Sequence, residues 1–342
     1  MNNGEKMNIR DIARLAGVTH TTVSKILNNK GSISEKTKKR VLSVIKRANY
    51  YPNEAARITS TGRSGEIAFV SSRYASPFIS LVLEGAEDCS YAMGKYENKI
   101  STYSTRGTKE LKRDVFMRIA AGRLADAVIA LALRPEKNAM KLFGKNDINV
   151  ILIEEKAAGA YAINVNNSAG AYDAVIHLAK RGRKKIALIR GVTGSEEVGR
   201  VPFDRERGYR KALAEAGIEF NPDLVEPVIA YSFEEGKKAL DNLLKRDRKV
   251  DAVFCAAGDI CAMGVMKRAW QLGIKIPSDL AVIGFDDIPA ASLVSPSLTT
   301  VRQPVFEMGS MAFRMAVDAA ENRALQPQNV IIDPKLVARE SA

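Results

Sequence analysis

His20, Thr21, Ser24 and Lys25 crowd one short segment near the start of the chain with hydrogen-bond donors and acceptors. Groups of this kind read base edges when a helix carries them into the major groove of DNA. The stretch Ile9–Asn28, IRDIARLAGVTHTTVSKILN, has the pattern to build such a helix. Ile9, Ile12, Ala13 and Ala16 recur at the spacing of one apolar helix face. Gly17 follows, where a helix ends most easily because glycine tolerates positive φ. Val18 can plug the angle between two helices, and Thr19 is a good N-cap for the second. That second helix carries Val23, Ile26 and Leu27 on one side and the four polar residues on the others. The whole is a helix-turn-helix pattern. A small helical hairpin packed on a larger body fits the same residues.

Catalytic chemistry finds little support. The chain has two histidines, and one of them, His177, lies inside an amphipathic helical stretch where a structural role suits it better. There is no Walker loop, GxSxG or HExxH motif. Asp286 and Asp287 could form an acidic pair, but adjacent side chains diverge. The three cysteines, Cys89, Cys255 and Cys261, lack metal-ligand or CxxC spacing and read as small buried residues in a reducing compartment. No enzyme activity, cofactor or metal is expected.

Composition points to a polyanionic partner. Of a net charge of +13, an excess of nine falls before Ser64, where 13 lysines and arginines face four acidic residues. A basic head on a nearly neutral body is the footprint of a nucleic-acid-binding protein. At 342 residues, 46% hydrophobic and 27% charged, two or three globular domains are expected. No apolar run of signal-peptide or membrane-spanning kind is present, so a cytoplasmic location away from membranes is expected.

A third helix should follow the pair, capped by Ser34, with Val41, Val44, Ile45 and Ala48 buried and Asn49 as its stop. Pro52 suits the first turn of a short helix over Asn53 to Ile58, and Thr59 to Gly65 reads as a linker. This hinge is too short to be stable alone and is expected to order only on DNA with a partner chain. Beyond it, apolar runs at Ile67–Ser71, Ala127–Leu131, Val150–Ile153, Ile186–Arg190, Val250–Cys255 and Ala281–Phe285 alternate with amphipathic stretches. The latter include Phe78–Gly94, Lys109–Ala121, Gly170–Arg181, Asp204–Ala216, Phe233–Leu244 and Cys261–Leu272. Such alternation means βα units and parallel sheets. The length suggests two lobes of about five parallel strands each, with a ligand crevice at the strand C-terminal ends.

The head resembles the lactose/galactose repressor family of bacterial transcription regulators. The residues that carry the likeness are Ile9, Asp11, Ile12, Ala13, Ala16, Gly17-Val18, Thr22-Val23-Ser24 and Leu27-Asn28, then Ser34, Thr37, Val41, Asn49-Tyr50, Pro52-Asn53 and Ala56-Arg57. In the body, Ile283-Gly284-Phe285-Asp286-Asp287, Leu298-Thr299-Thr300-Val301 and Gln303-Pro304 continue it. The resemblance implies that His20, Thr21 and Lys25 face bases, with Thr22 and Ser24 nearer phosphates. It implies hinge contacts from Asn53, Ala56, Arg57, Ile58 and Thr59. Lys25 stands where the family more often has arginine and lacks the bidentate fork. The family usually wedges a leucine into the minor groove two places after Arg57. Here that place is Thr59, with Ile58 before it, and either residue could serve.

The same resemblance implies a small all-α helix-turn-helix head plus an α/β two-lobed body like periplasmic sugar-binding proteins, with two parallel doubly wound sheets. The head is assigned to residues 1–51, the hinge and linker to 52–65 and the body to 66–342. The first lobe is expected over about 66–163 and 296–325, the second over about 164–295 and 326–342, with three crossings between them. Arg205 and Asp286 are expected to hold hydroxyls of a small effector, a sugar or sugar derivative, with Phe78, Asn166 and Asp259 beside them. Asn166 replaces the family's aspartate, Gly258 replaces an asparagine that often touches ligand, and Arg183 replaces a histidine. These departures leave a modified sugar, a sugar acid, a nucleobase-like molecule and a partner protein all open. Tyr74 and Phe78 could stack on a ring or simply pack. The function expected is a transcriptional regulator, a repressor, acting as a homodimer on a near-palindromic duplex operator. The alternative is a solute-binding receptor with no role on DNA.

Overall fold

The computed structural model describes residues 7–27, 31–51, 63–94, 99–192, 199–321 and 326–342. The chain divides into two compact units, Met1–Ser64 and Gly65–Ala342.

In the first unit, helices α1 (Ile9–Ala16), α2 (His20–Leu27) and α3 (Glu35–Arg47) surround a core of Ile12, Ala13, Ala16, Val23, Ile26, Val41 and Val44. Each helix starts on a side-chain cap. Asn8 accepts from the amides of Arg10 and Asp11, and the Asp11 carboxylate accepts from the Asn8 amide at 3.0 Å, a reciprocal capping box. Thr19 Oγ1 accepts from the Thr22 amide, and Ser34 Oγ from that of Thr37. The stops are conformational: Gly17 sits at φ 61° and Asn49 at φ 47°, both left-handed. Ile12, Val23 and Val41 are wholly buried, each worth roughly 1.5–3 kcal/mol. A core this small lies near the lower limit for independent folding.

The second unit holds two six-stranded sheets. The strands are β1 (Ile67–Ser71), β2 (Ile100–Ser104), β3 (Ala127–Leu131), β4 (Asn149–Ile153), β5 (Tyr161–Val165), β6 (Ile186–Gly191), β7 (Val225–Val228), β8 (Ala252–Cys255), β9 (Ala281–Asp286), β10 (Thr299–Arg302), β11 (Asn329–Ile332) and β12 (Lys335–Val337). The helices are α4 (Pro77–Met93), α5 (Lys109–Gly122), α6 (Lys137–Lys145), α7 (Asn167–Lys180), α8 (Val201–Glu215), α9 (Phe233–Arg246), α10 (Asp259–Gln271) and α11 (Val305–Glu321). The first sheet runs β11-β5-β4-β3-β1-β2, parallel throughout. The second runs β12-β10-β9-β8-β6-β7, parallel except for β12 against β10. Inner strands such as β1 and β3 are buried at every residue, as helices on both faces require, and so read as unbroken apolar runs.

The chain crosses between lobes three times, after β5, after β10 and after β11. Two of the expected lobe bounds move. β10 pairs with β9 and belongs to the second sheet, so the return to the first lobe falls at 303–304, not near 296. β11 pairs with β5 and stays in the first lobe, so the last crossing falls at 333–334, not near 326. Hydrogen-bond partners, which a strand's own residues do not reveal, decide both. The returning helix α11 lies so close on α4 that a Cβ on Gly309 would stand 1.8 Å from the Val82 carbonyl oxygen. The first and third crossings are tied together: the Asn166 amide donates to Ile332 O at 2.8 Å and its side-chain amide to Asp333 Oδ1 at 3.0 Å.

Candidate functional site

On the head, α2 buries Val23 and Ile26 and leaves His20, Thr21 and Lys25 exposed, with Thr22 and Ser24 half-buried. Packing thus turns the expected base-facing side chains outward together. The hydroxyls of Thr21 and Thr22 gather on Thr19 Oγ1 at 2.7 and 2.9 Å, at the N-terminus of the helix. Amides and hydroxyls at a helix start suit a phosphate. Asn53, Ala56, Arg57, Ile58 and Thr59 lie outside the described residues.

In the body, Glu154 at the C-terminal end of β4 and Asp286 at that of β9 are joined through Asn167 and Arg205, so strand C-terminal ends of the two lobes meet, where ligands gather in such folds. Arg205, on α8, is 4% exposed despite its place in the run Asp204-Arg205-Glu206-Arg207. Its Nε donates to Asn167 Oδ1 at 2.8 Å and Nη1 to Ala256 O at 2.7 Å. The guanidinium lies 3.5 Å above the Phe285 ring centre, and Nη2 stands 4.0 Å from Asp286 Oδ1. Asp286 closes β9 at φ 112°, a left-handed conformation that costs a non-glycine residue about 1–3 kcal/mol. Gln303, just past β10, donates to its Oδ1 at 2.6 Å. Burial pushes the Asp286 carboxyl up to about 6, against the pull of Arg205 and Gln303.

A carboxylate missed by sequence reasoning completes the set. Glu154, just after β4 and itself left-handed at φ 61°, is buried, accepting from Val165 N at 2.8 Å and Asn167 Nδ2 at 2.6 Å. Burial raises its carboxyl too, and Arg205 opposes the rise. The result is one polar chain, Glu154–Asn167–Arg205–Asp286–Gln303, running from the first lobe through α7 beside the first crossing to the second crossing. Gln303 Oε1 ends it as a buried acceptor with no partner among the described residues. Tyr231, also missed, turns its hydroxyl toward Gly191 and feels the charges of Arg205 and Asp286. The usable signals were acidic or amide residues just beyond apolar runs: Ile153-Glu154, Val165-Asn166-Asn167 and Arg302-Gln303.

The other expected contacts fare differently. Asp259 is 1% exposed and turned into the second lobe, taking Thr300 Oγ1 at 2.5 Å and the Ile288 amide at 2.9 Å. It braces β10 and the loop after β9, and both its carboxylate oxygens are already occupied. Gly258 sits at φ 96°, ψ 168°, a glycine conformation, and a Cβ there would stand 2.9 Å from Asp286 Oδ2. An asparagine here would therefore be strained in its backbone and would crowd the Asp286 carboxylate. Phe78 is half-buried against the first-lobe core. Tyr74 is a packing residue: its hydroxyl donates to Phe69 O at 2.7 Å and accepts from Tyr103 N at 3.0 Å, and burial pushes it up to about 12. Asn166 caps α7 through Ala169 N and holds two crossings together. His177 rests near the Ala342 carbonyl oxygen at 3.5 Å, and burial lowers its pKa. Among the described residues no group of three or more His, Cys, Asp and Glu could hold a metal ion, and no helix is long and apolar enough to cross a membrane. The remaining arrangement, an arginine and carboxylates fixed beside a ring, offers set donors and acceptors for hydroxyl or amide groups.

Residues 8–53 match the family of bacterial regulatory proteins called lacI, and residues 175–342 match a periplasmic binding protein-like domain. The chain is 32% identical over 336 residues to the HTH-type transcriptional regulator RegA of Clostridium saccharobutylicum, covering 97% of this chain and 98% of that protein. It is 30% identical over 339 residues to the HTH-type transcriptional repressor PurR of Proteus mirabilis, covering 97% and 96%. Among solved structures, the transcriptional regulator CelR–cellobiose complex is 26% identical with a TM-score of 0.72, covering 98% of this chain and all of that one (100%). The lac repressor dimer bound to operator shares the fold, with a TM-score of 0.83 at 20% identity and coverage of 98% and 99%. Related over nearly its whole length to such regulators, the chain belongs to the lacI family of bacterial regulatory proteins: it is a DNA-binding transcription regulator with an effector-binding body, not an enzyme.

Proposed function

We propose that the protein is a cytoplasmic repressor that binds a near-palindromic operator as a homodimer and is tuned by a small polyol-like effector between its lobes. The observation that carries the effector reading is the polar chain Glu154–Asn167–Arg205–Asp286–Gln303, which begins in one lobe and ends on a crossing to it. A ligand that competes for Arg205 and Asp286 pulls on residues that set the angle between lobes. Any such change in operator affinity must be matched by a reciprocal effect of operator on effector affinity. Phe78 would flank the ligand, Asn166 would hold the crossing, and Asp259 would position β10. The complex of the related CelR with cellobiose favours a sugar-like ligand.

On DNA, His20, Thr21 and Lys25 read base edges while Thr22 and Ser24 serve phosphates. The head comprises residues 1–51, the hinge 52–65 and the body 66–342, with Asn53, Ala56, Arg57, Ile58 and Thr59 acting at the minor groove. Selection of sites from random duplex DNA, followed by a salt titration of the enriched site, tests this. An enriched palindrome bound with a steep salt slope is expected, because phosphate contacts release counterions. No enrichment, or a flat salt response, refutes operator recognition.

A further inference from the structure

We propose that the effector is an aminated polyol whose ammonium group is held by Asp286 and Gln303. The inference rests on the reading of the crevice as the effector site and names the chemistry of its ligand. The polar chain contains two carboxylates, Glu154 and Asp286, and one cation, Arg205. Asp259 follows Gly258, on which a Cβ would stand 2.9 Å from Asp286 Oδ2, and is a third buried carboxylate. Its oxygens take Thr300 Oγ1 and the Ile288 amide, neither of them charged. Arg205 is largely committed already. Its Nε is on Asn167 Oδ1 and its Nη1 on Ala256 O, while Nη2 stands 4.0 Å from Asp286 Oδ1, beyond hydrogen-bond length. Among the described residues no other cation forms an ion pair with Glu154, Asp259 or Asp286. The neighbouring Asp287 shows the contrast, with Arg302 and Arg339 each reaching it at 2.6 Å. Buried negative charge therefore exceeds positive charge here, and a buried charge needs a partner.

Gln303 supplies an independent observation. It is 2% exposed, and its Nε2 donates to Asp286 Oδ1 at 2.6 Å. An ionised carboxylate only accepts, so the amide must turn its nitrogen to Asp286. The oxygen of the same planar amide, Oε1, thus stands beside that carboxylate, buried and without a donor. Asp286 Oδ2 also accepts no hydrogen bond among the described residues. Two open acceptors on touching side chains, within an excess of negative charge, call for a cation with several donors. An ammonium has three donors and no acceptor, and its bonds to a carboxylate are charge-assisted. A hydroxyl would supply one donor and leave the charge uncompensated. A metal ion fits poorly, because among the described residues no three His, Cys, Asp or Glu are placed to hold one. Gln303 is also where the chain returns to the first lobe, so a ligand that draws on its amide acts on a crossing.

The test titrates glucosamine, galactosamine, their neutral parents glucose and galactose, and N-acetylglucosamine into the full-length protein by calorimetry at neutral pH. Operator binding is read in parallel by fluorescence anisotropy. An amino sugar is expected to bind about tenfold more tightly than its parent, or about 1.4 kcal/mol. N-acetylglucosamine, which keeps an N–H but loses the charge, should fall back with the parent. Asp286→Asn keeps the shape and the bond from Gln303 but not the charge, and should erase the margin. Gln303→Met removes the orphan acceptor and should reduce it, with circular dichroism confirming that both variants fold. Amino sugars that do not bind, that bind no better than their parents, or that keep their margin in Asp286→Asn overturn the inference. A neutral sugar that alone binds and shifts operator affinity also overturns it and leaves the effector reading standing. An amino sugar bound with the full margin but without effect on operator affinity leaves the amine site standing and removes the effector reading instead.

Discussion

Replacing Asp286 by asparagine should stabilise the protein at neutral pH while abolishing its response to effector. The side chain keeps its shape and its acceptor for Gln303 Nε2, and asparagine tolerates the left-handed backbone at φ 112°. What changes is the buried charge. The carboxyl rises from an ordinary 3.8 to about 6 because burial outweighs Arg205 and Gln303. A folded-state pKa above the unfolded value means that the native state holds the proton more tightly. The favourable contribution is complete below about 4 and is lost as pH rises to about 6. A shift of about two units corresponds to roughly 3 kcal/mol of burial penalty above that window. Asp286→Asn removes this penalty, which is already net of the attraction to Arg205, so a gain of about 1–3 kcal/mol at pH 7.5 is expected. Near pH 4, where the wild-type carboxyl is protonated, the gain should vanish. Urea unfolding followed by far-UV circular dichroism, on both proteins across that range, measures the difference. A gain that does not depend on pH, or a loss at pH 7.5, would refute the account of a desolvated carboxylate held against its preference.

Lys25→Ala should cost roughly 1–3 kcal/mol on the selected operator and relax one base position, measured by anisotropy on single-site variants; a uniform loss on every sequence would make Lys25 a phosphate contact. Gly258→Asn should lower the urea midpoint by an amount equivalent to about 1–3 kcal/mol, because ψ 168° at φ 96° strains any side chain and a Cβ approaches Asp286 Oδ2 to 2.9 Å. An unchanged midpoint would show that the turn can relax. Asn8→Ala removes the capping box of α1 and should destabilise the head by about 1 kcal/mol, seen as a lower melting temperature of the head's transition. Equal melting of the two proteins would assign the start of that helix to packing alone.

Local pattern was a good guide wherever one element answers to its own residues. The head helices begin at Thr19 and Ser34 and end at Gly17 and Asn49 because caps and left-handed stops act within a few residues. The inner strands were legible because burial on both faces demands continuous apolar runs. Edge strands were not. Ile100–Ser104, Val225–Val228 and Lys335–Val337 are partly exposed and polar, and only their neighbours make them strands.

The sequence by itself determined the helical head, the alternating α/β body and, through a spaced set of family residues, the kind of protein this is. It also singled out Arg205 and Asp286. Only the tertiary structure decided that Arg205 leaves its charged run to lie buried on Phe285, that Asp259 faces inward, and that β10 and β11 each belong to the lobe opposite the one expected. It alone joined Glu154, Asn167 and Gln303 to the site. The physical reason is the same in each case. Caps, periodicity and turns are governed by residues a few positions apart. Which buried charge meets which partner is settled by packing between segments that stand tens to hundreds of residues apart, and no local pattern records it.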